Sequence, residues 1–402
     1  METFRHSFYL SGFALLVVIV FVSMLFNLSF ATPQITGVLE SPQGLVNGAT
    51  LVISGSGFGN KVPAKPYVWA GFEQGSIQPS NYGQNINWSE SAYMVYNATG
   101  GVNGGPDAVG VKDDAQPGIW TLAINSNGFN WNDYGSKIYL FYDTYKNFCT
   151  SGPSSTCPLY INWKIMRIWN LNISFSAPNA SSPPYCTLCY PDFYMSSSNG
   201  AEASEYLENN SNPDRLGYDA TVYAATYVNG SGVQTDPSVT DGPIGKWFPQ
   251  QMILQSNSQA NTFDGNLKWY SNGSEIGLVP IDLRWTTFTL KFRINGSITE
   301  AMRRLYIQGV QENVNWLFTG SNGTAKTYAV DNIYIDNTWS RVMVCNSATW
   351  STCTKEDIEI PTAWSNDSIT VLLRTGEFSS FSNLYLYVVD ANGNVNQNGY
   401  PI

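Results

Sequence analysis

The chain has 402 residues and a net charge of −10, with 20 lysines and arginines against 30 aspartates and glutamates. So thin a supply of cations argues against nucleic acid as a partner, because phosphate binding needs clustered Lys and Arg. The acidic balance also argues against a strongly anionic polymer as ligand, although a local basic patch can override a global average, and with abundant Gly, Asn, Ser, Thr, Tyr and Trp it makes neutral or weakly acidic glycans the better fit.

Taken in chain order, Arg5 and His6 precede an apolar run from Phe13 to Phe26, and Ser29-Phe30-Ala31 precedes Thr32-Pro33. A basic start, an apolar middle and a small-x-small end predict a secretory signal peptide over residues 1–31. An uncleaved anchor is the rival, since the stretch from Phe8 to Ala31 is long enough to span a bilayer. With cleavage, the protein is expected to be secreted, extracellular or on the cell surface, with no membrane attachment of its own. The remainder is too long for one small domain and predicts two domains, or one large β domain with an accessory.

Strand-like runs follow at 50–54, 137–142, 161–169, 250–255, 286–294, 328–335, 368–373 and 384–389, rich in β-branched and aromatic residues and bounded by Gly, Asn and Pro. One stretch, 299–308, reads as an amphipathic helix, though a strand with a polar edge fits it too. Many short strands without intervening helices predict an all-β fold, an antiparallel sandwich or jelly roll.

Along 137–146, alternation sets Tyr139, Phe141, Asp143 and Tyr145 on one face and Ile138, Leu140, Tyr142, Thr144 and Lys146 on the other. Tyr139 and Tyr145 are the first ligand-binding candidates, because a sugar's C–H face stacks on a flat aromatic ring. The same two tyrosines would serve equally well as core. Along 161–169, strict alternation puts Asn162, Lys164, Met166 and Ile168 opposite Trp163, Ile165, Arg167 and Trp169. Neither face is cleanly polar. Lys164 and Arg167 join the binding candidates, while packing alone would make Trp163 and Trp169 core and Arg167 a paired or snorkelling side chain.

Six cysteines fall into three close pairs: Cys149 with Cys157, Cys186 with Cys189, and Cys345 with Cys353. An even count in an exported chain predicts disulfides, and near-neighbour pairing is the working assignment. Cys186 and Cys189 have redox or zinc spacing, but a zinc site needs a full tetrahedral set and the single histidine, His6, lies in the signal segment. Sequons at Asn87, Asn229 and Asn295 permit glycosylation.

The run Thr50-Leu51-Val52-Ile53-Ser54-Gly55-Ser56-Gly57-Phe58-Gly59 resembles the opening of an IPT/TIG domain, a small immunoglobulin-like module. Its closing half is matched at the far end, in residues 360–365, 368–371 and 384–393 with their Asp390-Ala391-Asn392-Gly393 turn. Between them, Gly71-Phe72-Glu73-Gln74-Gly75 and residues 331–337 resemble the first and last strands of a concanavalin A-like jelly roll of the laminin G-like and polysaccharide lyase-like kind. Residues 247–255 and 264–273 resemble a hairpin common in that class. The resemblance implies a split IPT/TIG-like domain, 32–65 and 338–402, interrupted by a jelly roll over 66–337; adjacent termini are what an inserted domain requires. It also implies a structural Ca2+ between first and last strands, held by Glu73 and Asp331.

Catalysis finds little support in the residues. A polysaccharide lyase must neutralise a uronate carboxylate and abstract its α-proton; with the single histidine, His6, in the expected signal peptide, this leaves a tyrosine at 139, 142 or 145 with Arg167 or Lys164. The acidic group Glu356, Asp357 and Glu359 lacks the spacing of a glycosidase pair and reads as a solvated strand entry. The leading expectation is therefore a non-catalytic, glycan-binding or adhesion protein, with other cell-surface proteins as further partners. A Tyr-based lyase or hydrolase, and a structural matrix or surface-layer protein, are the alternatives.

Overall fold

The computed structural model describes residues 32–77, 94–111, 122–124, 137–146, 164–169, 192–196, 206–207, 227–228, 231–234, 245–255, 266–271, 274–275, 304–307 and 327–402. The segment 1–31 read as a signal peptide, the run 286–294, Asn87, Asn229 and Asn295, and Cys149, Cys157, Cys186 and Cys189 lie outside them. Among the described residues no helix is long and apolar enough to cross a membrane.

The strands are β1 (Gln34–Glu40), β2 (Thr50–Ser56), β3 (Val68–Ala70), β4 (Met94–Asn97), β5 (Asp107–Val111), β6 (Leu122–Ile124), β7 (Lys137–Lys146) and β8 (Lys164–Trp169). Next come β9 (Asp192–Ser196), β10 (Tyr206–Leu207), β11 (Tyr227–Val228), β12 (Ser231–Gln234), β13 (Trp247–Gln255), β14 (Asn266–Ser271) and β15 (Ser274–Glu275). The chain closes with β16 (Arg304–Ile307), β17 (Thr327–Asp336), β18 (Arg341–Cys345), β19 (Glu356–Trp364), β20 (Ser368–Leu372), β21 (Tyr385–Val389) and β22 (Tyr400–Pro401). The fold is all-β, built from antiparallel sheets.

The two ends of the chain share one seven-stranded system, ordered β1-β2-β20-β19-β18-β21-β22. β2 pairs with β20 from Thr50↔Leu372 to Ser54↔Ser368. The join that makes two layers of it is β19, whose first half pairs with β18 and whose second half pairs with β20. The change falls between Glu359 and Ile360, and a bulge follows between Pro361 and Ala363. Proline has no ladder N–H to give, and a bulge bends the strand where one sheet hands over to the other. Alternation then fills the interior: Leu51 and Ile53 from β2, Val342 and Val344 from β18, Ile369 and Val371 from β20, Leu386 and Val388 from β21.

The large sheet runs β15-β14-β13-β7-β17-β5-β4, with β3 paired to β17. β3 and β17, entry and exit of the central segment, are thus hydrogen-bonded neighbours, Trp69 opposite Tyr334. The hairpin read at 247–255 is present as β13 against β14, Gln250↔Ser271 to Gln255↔Asn266. The stretch read as helical, 299–308, contributes strand β16 instead. Its Arg-Leu-Tyr-Ile sequence alternates polar and apolar, the period of a strand, and sheet neighbours on both sides supply the hydrogen bonds.

One face of the large sheet lies on the outer face of β18. Trp69, Tyr139, Phe141 and Tyr334 pack against Met343, Cys345, Ile358 and Tyr387. β18 therefore has no solvent side, which matches its five fully buried residues. Where the chain passes between the two units, Lys61 Nζ sits 2.7 Å from Asp336 Oδ2 with both side chains buried. Lys61 also donates to the carbonyls of Pro63, Ala64 and Lys65, and Asp336 accepts from the Tyr334 hydroxyl and the Asn337 N–H. Burial pulls the Lys61 amine down and pushes the Asp336 carboxyl up, and their mutual attraction opposes both.

Removing one partner of such a pair strands a charge. Lys61→Ala is expected to lower stability by about 3–5 kcal/mol, and Lys61→Met with Asp336→Leu to recover most of that. Denaturant unfolding of the three proteins is the measurement; a single variant within about 0.5 kcal/mol of the parent would rule the latch out.

Candidate functional site

The tyrosine face of β7 is the covered one. Tyr139 is fully buried, its hydroxyl donates to Gln251 Oε1 at 2.6 Å, its ring meets Tyr334 edge-on at 6.0 Å, and the Arg341 guanidinium lies 4.2 Å from the ring centroid. The terminal sandwich occupies the space a ligand would need, so Tyr139 offers no face for stacking. Tyr145, at the end of the same row, is half-buried against Trp247, centroids 5.8 Å apart, and the Trp247 indole N–H donates to the Gly100 carbonyl.

Lys164 and Arg167 belong to a different, four-stranded sheet, ordered β6-β16-β8-β9. Its register separates two faces more sharply than alternation along β8 alone. Met166, Ile168, Leu305, Ile307, Leu122, Ile124, Phe193 and Met195 share one face, and all are apolar. On the other, Arg167 stands in register with Tyr194 on one side and Tyr306 on the other, and Trp169 with Asp192 and Arg304. A register shift between Lys164 and Met166 sets Lys164 opposite Ser196, two residues from Tyr194. The shift carries Lys164 to the Arg167 face, where strict alternation would have put it opposite. The register thus gives the sheet one apolar row and one row that carries cationic and aromatic residues. Sequence reading missed Arg304, Tyr194 and Tyr306; the period-2 pattern of residues 304–307 was the available signal.

The acidic residues of β19 are not a solvated entry. Glu356, Asp357 and Glu359 are buried, at 5%, 0% and 0% exposure, because β19 is an inner strand of the terminal sandwich and is covered by the large sheet. Asp143 and Asp331 of the large sheet are buried too, and Asp143 lies close enough to Asp357 and Asp331 for their charges to raise it. Donors are too few: Asp143 Oδ1 and Glu359 Oε1 have no hydrogen-bond partner among the described residues. Gln251 donates to Glu356, Asn332 Nδ2 to Asp143 Oδ2 at 2.6 Å, and the Arg374 N–H to Glu359 Oε2 at 2.7 Å. Burial, above all, lifts these carboxyls: Glu356 to about 7, with Asp143 and Glu359 pushed well above the usual carboxylate range.

Glu73 and Asp331 lie in the same region, joined by a cation from the other unit. Arg374 Nη1 bonds Glu73 Oε1 at 2.7 Å, Nη2 bonds the Asn332 side-chain carbonyl, and the guanidinium covers the Trp69 ring at 4.2 Å. Asp331 accepts the Val102 N–H at Oδ2 and the Asn332 N–H at Oδ1. Asn332 holds a left-handed φ of 53°, which asparagine tolerates, at a bulge in β17. Among the described residues, no group of three or more His, Cys, Asp or Glu is arranged to hold a metal. Cys345 and Cys353 are bonded, closing the loop between β18 and β19.

These sheets define an all-β, antiparallel sandwich class. No protein-family model and no curated protein sequence matches the chain. Among solved structures it is similar to the endo-β-1,4-glucuronan lyase of the fungus Trichoderma reesei, at 9% identity and a TM-score of 0.36 over 64% of this chain and 92% of that one. The alginate lyase of Aplysia kurodai is similar at 12% identity and 0.32, over 62% and 86%. The binding domain of botulinum neurotoxin serotype C1 is similar at 11% and 0.35, over 84% and 70%. Each is a likeness of β-architecture at low identity.

The raised carboxyls fix the sign of the pH dependence. A carboxyl whose folded pKa exceeds its unfolded value of about 4 stabilises the fold fully below that value and loses the contribution as pH climbs through the folded one. The unfolding midpoint is therefore expected to be higher at pH 5 than at pH 8, by at least ~3 °C, and Glu359→Gln to flatten the slope. A midpoint that rises over the same interval would contradict protonated carboxyls at the interface.

Proposed function

We propose that the protein is an exported glycan-binding protein that takes an acidic polysaccharide on the cationic, aromatic face of the four-stranded sheet. The register of Tyr194, Arg167 and Tyr306 across adjacent strands, with Lys164, Trp169 and Arg304 beside them, carries the reading. Aromatic rings answer the C–H face of a pyranose, and arginine answers a carboxylate or sulfate with two parallel hydrogen bonds. The concentration of cations matters here because the whole chain holds 20 lysines and arginines and carries a net charge of −10. A global field of that sign repels a polyanion, so attraction must come from a local cluster and must weaken with salt. In this reading the large and four-stranded sheets form a concanavalin A-like jelly roll, and the terminal sandwich is the split IPT/TIG-like domain that presents it. Antiparallel pairing of β2 with β20 supports that division.

The same row favours a second reading. A tyrosine on each side of an arginine is the arrangement a lyase needs: arginine pairs with the uronate carboxylate, tyrosinate takes the α-proton, a carbon–carbon double bond forms, and the glycosidic oxygen leaves with a proton.

A glycan array spanning neutral and uronate oligosaccharides is expected to show binding to the acidic set, weakened about tenfold or more by Arg167→Ala and by raised salt. Binding confined to neutral glycans, or unchanged by Arg167→Ala, would remove this face from consideration. Unsaturated products detected by ultraviolet absorbance, and abolished by Tyr306→Phe or Tyr194→Phe, would promote the lyase.

A further inference from the structure

Jelly rolls of the class this chain resembles are expected to hold a structural calcium between first and last strands, and Glu73 and Asp331 are the oxygens that would hold it. The donors around them do not fit such an ion. Calcium needs six to eight oxygens at about 2.3–2.6 Å. Here Glu73 Oε1 is taken by Arg374 Nη1 at 2.7 Å, and both Asp331 oxygens accept backbone N–H groups, from Val102 at 3.1 Å and Asn332 at 2.6 Å. The Asn332 side-chain carbonyl, a further hard ligand, is turned to Arg374 Nη2. A fixed guanidinium among these oxygens also repels a second cation.

We propose that Arg374 is a built-in cation that replaces a structural divalent ion at this position, so that a residue of the terminal sandwich fastens the first and last strands of the large sheet. Its setting is built for a guanidinium rather than a point charge. The planar group stacks 4.2 Å above Trp69, a residue of the first strand, and its two ends divide between Glu73 and Asn332. The backbone N–H of the same residue is held by Glu359 Oε2, a buried acid of β19. Two and four residues on, the loop is pinned again: Asn103 Nδ2 donates to the Gly376 and Phe378 carbonyls. An ion from solution would stabilise the large sheet alone; an arginine from β20's end ties it to the other unit.

Thermal unfolding of the chain from Thr32 to Ile402, with EDTA and with saturating calcium, separates the two cases. Calcium bound to the native state would raise the midpoint as its concentration passes the dissociation constant. The expected result is a midpoint equal within ~1 °C in both buffers, a fall of about 5 °C or more for Arg374→Gln, and a smaller fall for Arg374→Lys, which keeps the charge but not the fork. A midpoint lowered by EDTA in the unsubstituted protein, or an Arg374→Gln protein that melts with the parent, overturns the proposal. Should Arg374→Gln fail to fold, the EDTA comparison on the unsubstituted protein still decides, and Glu73→Gln, at a half-exposed partner, supplies the milder variant.

Discussion

Strand β18 is buried on both sides, and the rest of the molecule is arranged around that fact. Val342 and Val344 complete the core of the terminal sandwich, while Met343 and Cys345 reach the opposite layer and meet Tyr139, Phe141 and Tyr334 of the large sheet. A strand that buries two faces needs two walls. The central segment of the chain supplies the second wall, so it is packed against the terminal sandwich and not tethered beside it. Antiparallel pairing of β3 with β17 brings its ends together, and the buried Lys61–Asp336 pair holds the crossing.

The seam between the two walls is rich in buried acid, and this asymmetry sets the character of the interface. Glu356, Asp357, Glu359, Asp143 and Asp331 are buried there, with a buried Arg341 and a partly buried Arg374 as the cations beside them. Burial raises the carboxyl pKa values, and Arg374 is pushed the other way from what burial alone would do, because Glu73, Asp331 and Asp357 surround it. Protons and one guanidinium thus carry out the charge balancing that an apolar interface would not need.

Covering one face of the large sheet leaves function to another surface. The aromatic side of β7, attractive as a sugar platform when read as a strand alone, is spent on holding the two units together. The register of the four-stranded sheet puts apolar residues in one row and Lys164, Arg167 and Arg304 with Tyr194 and Tyr306 in the other. In the proposed reading, scaffold and recognition are divided between sheets.

Much of the architecture was legible in the residues. Runs of β-branched and aromatic residues marked β2, β7, β13, β17, β20 and β21, since a side-chain period of two is local chemistry. The complementary character of the chain's two ends pointed to their pairing across the central segment. What alternation cannot say is which of its two faces meets which partner. Tyr139 and Glu359 were misjudged for that reason: a tyrosine reads as a platform and a glutamate as solvated until another layer arrives over them. Arg374 gained its role from Glu73, 301 positions away, and Lys164 joined Arg167 through a bulge that strict alternation does not contain. Sequence by itself determined the strands and their amphipathic options, because these follow from neighbouring side chains. Tertiary structure alone decided which face was buried, which charges were desolvated and which cation stood beside Glu73 and Asp331, because burial and pairing depend on groups brought together from opposite ends of the chain.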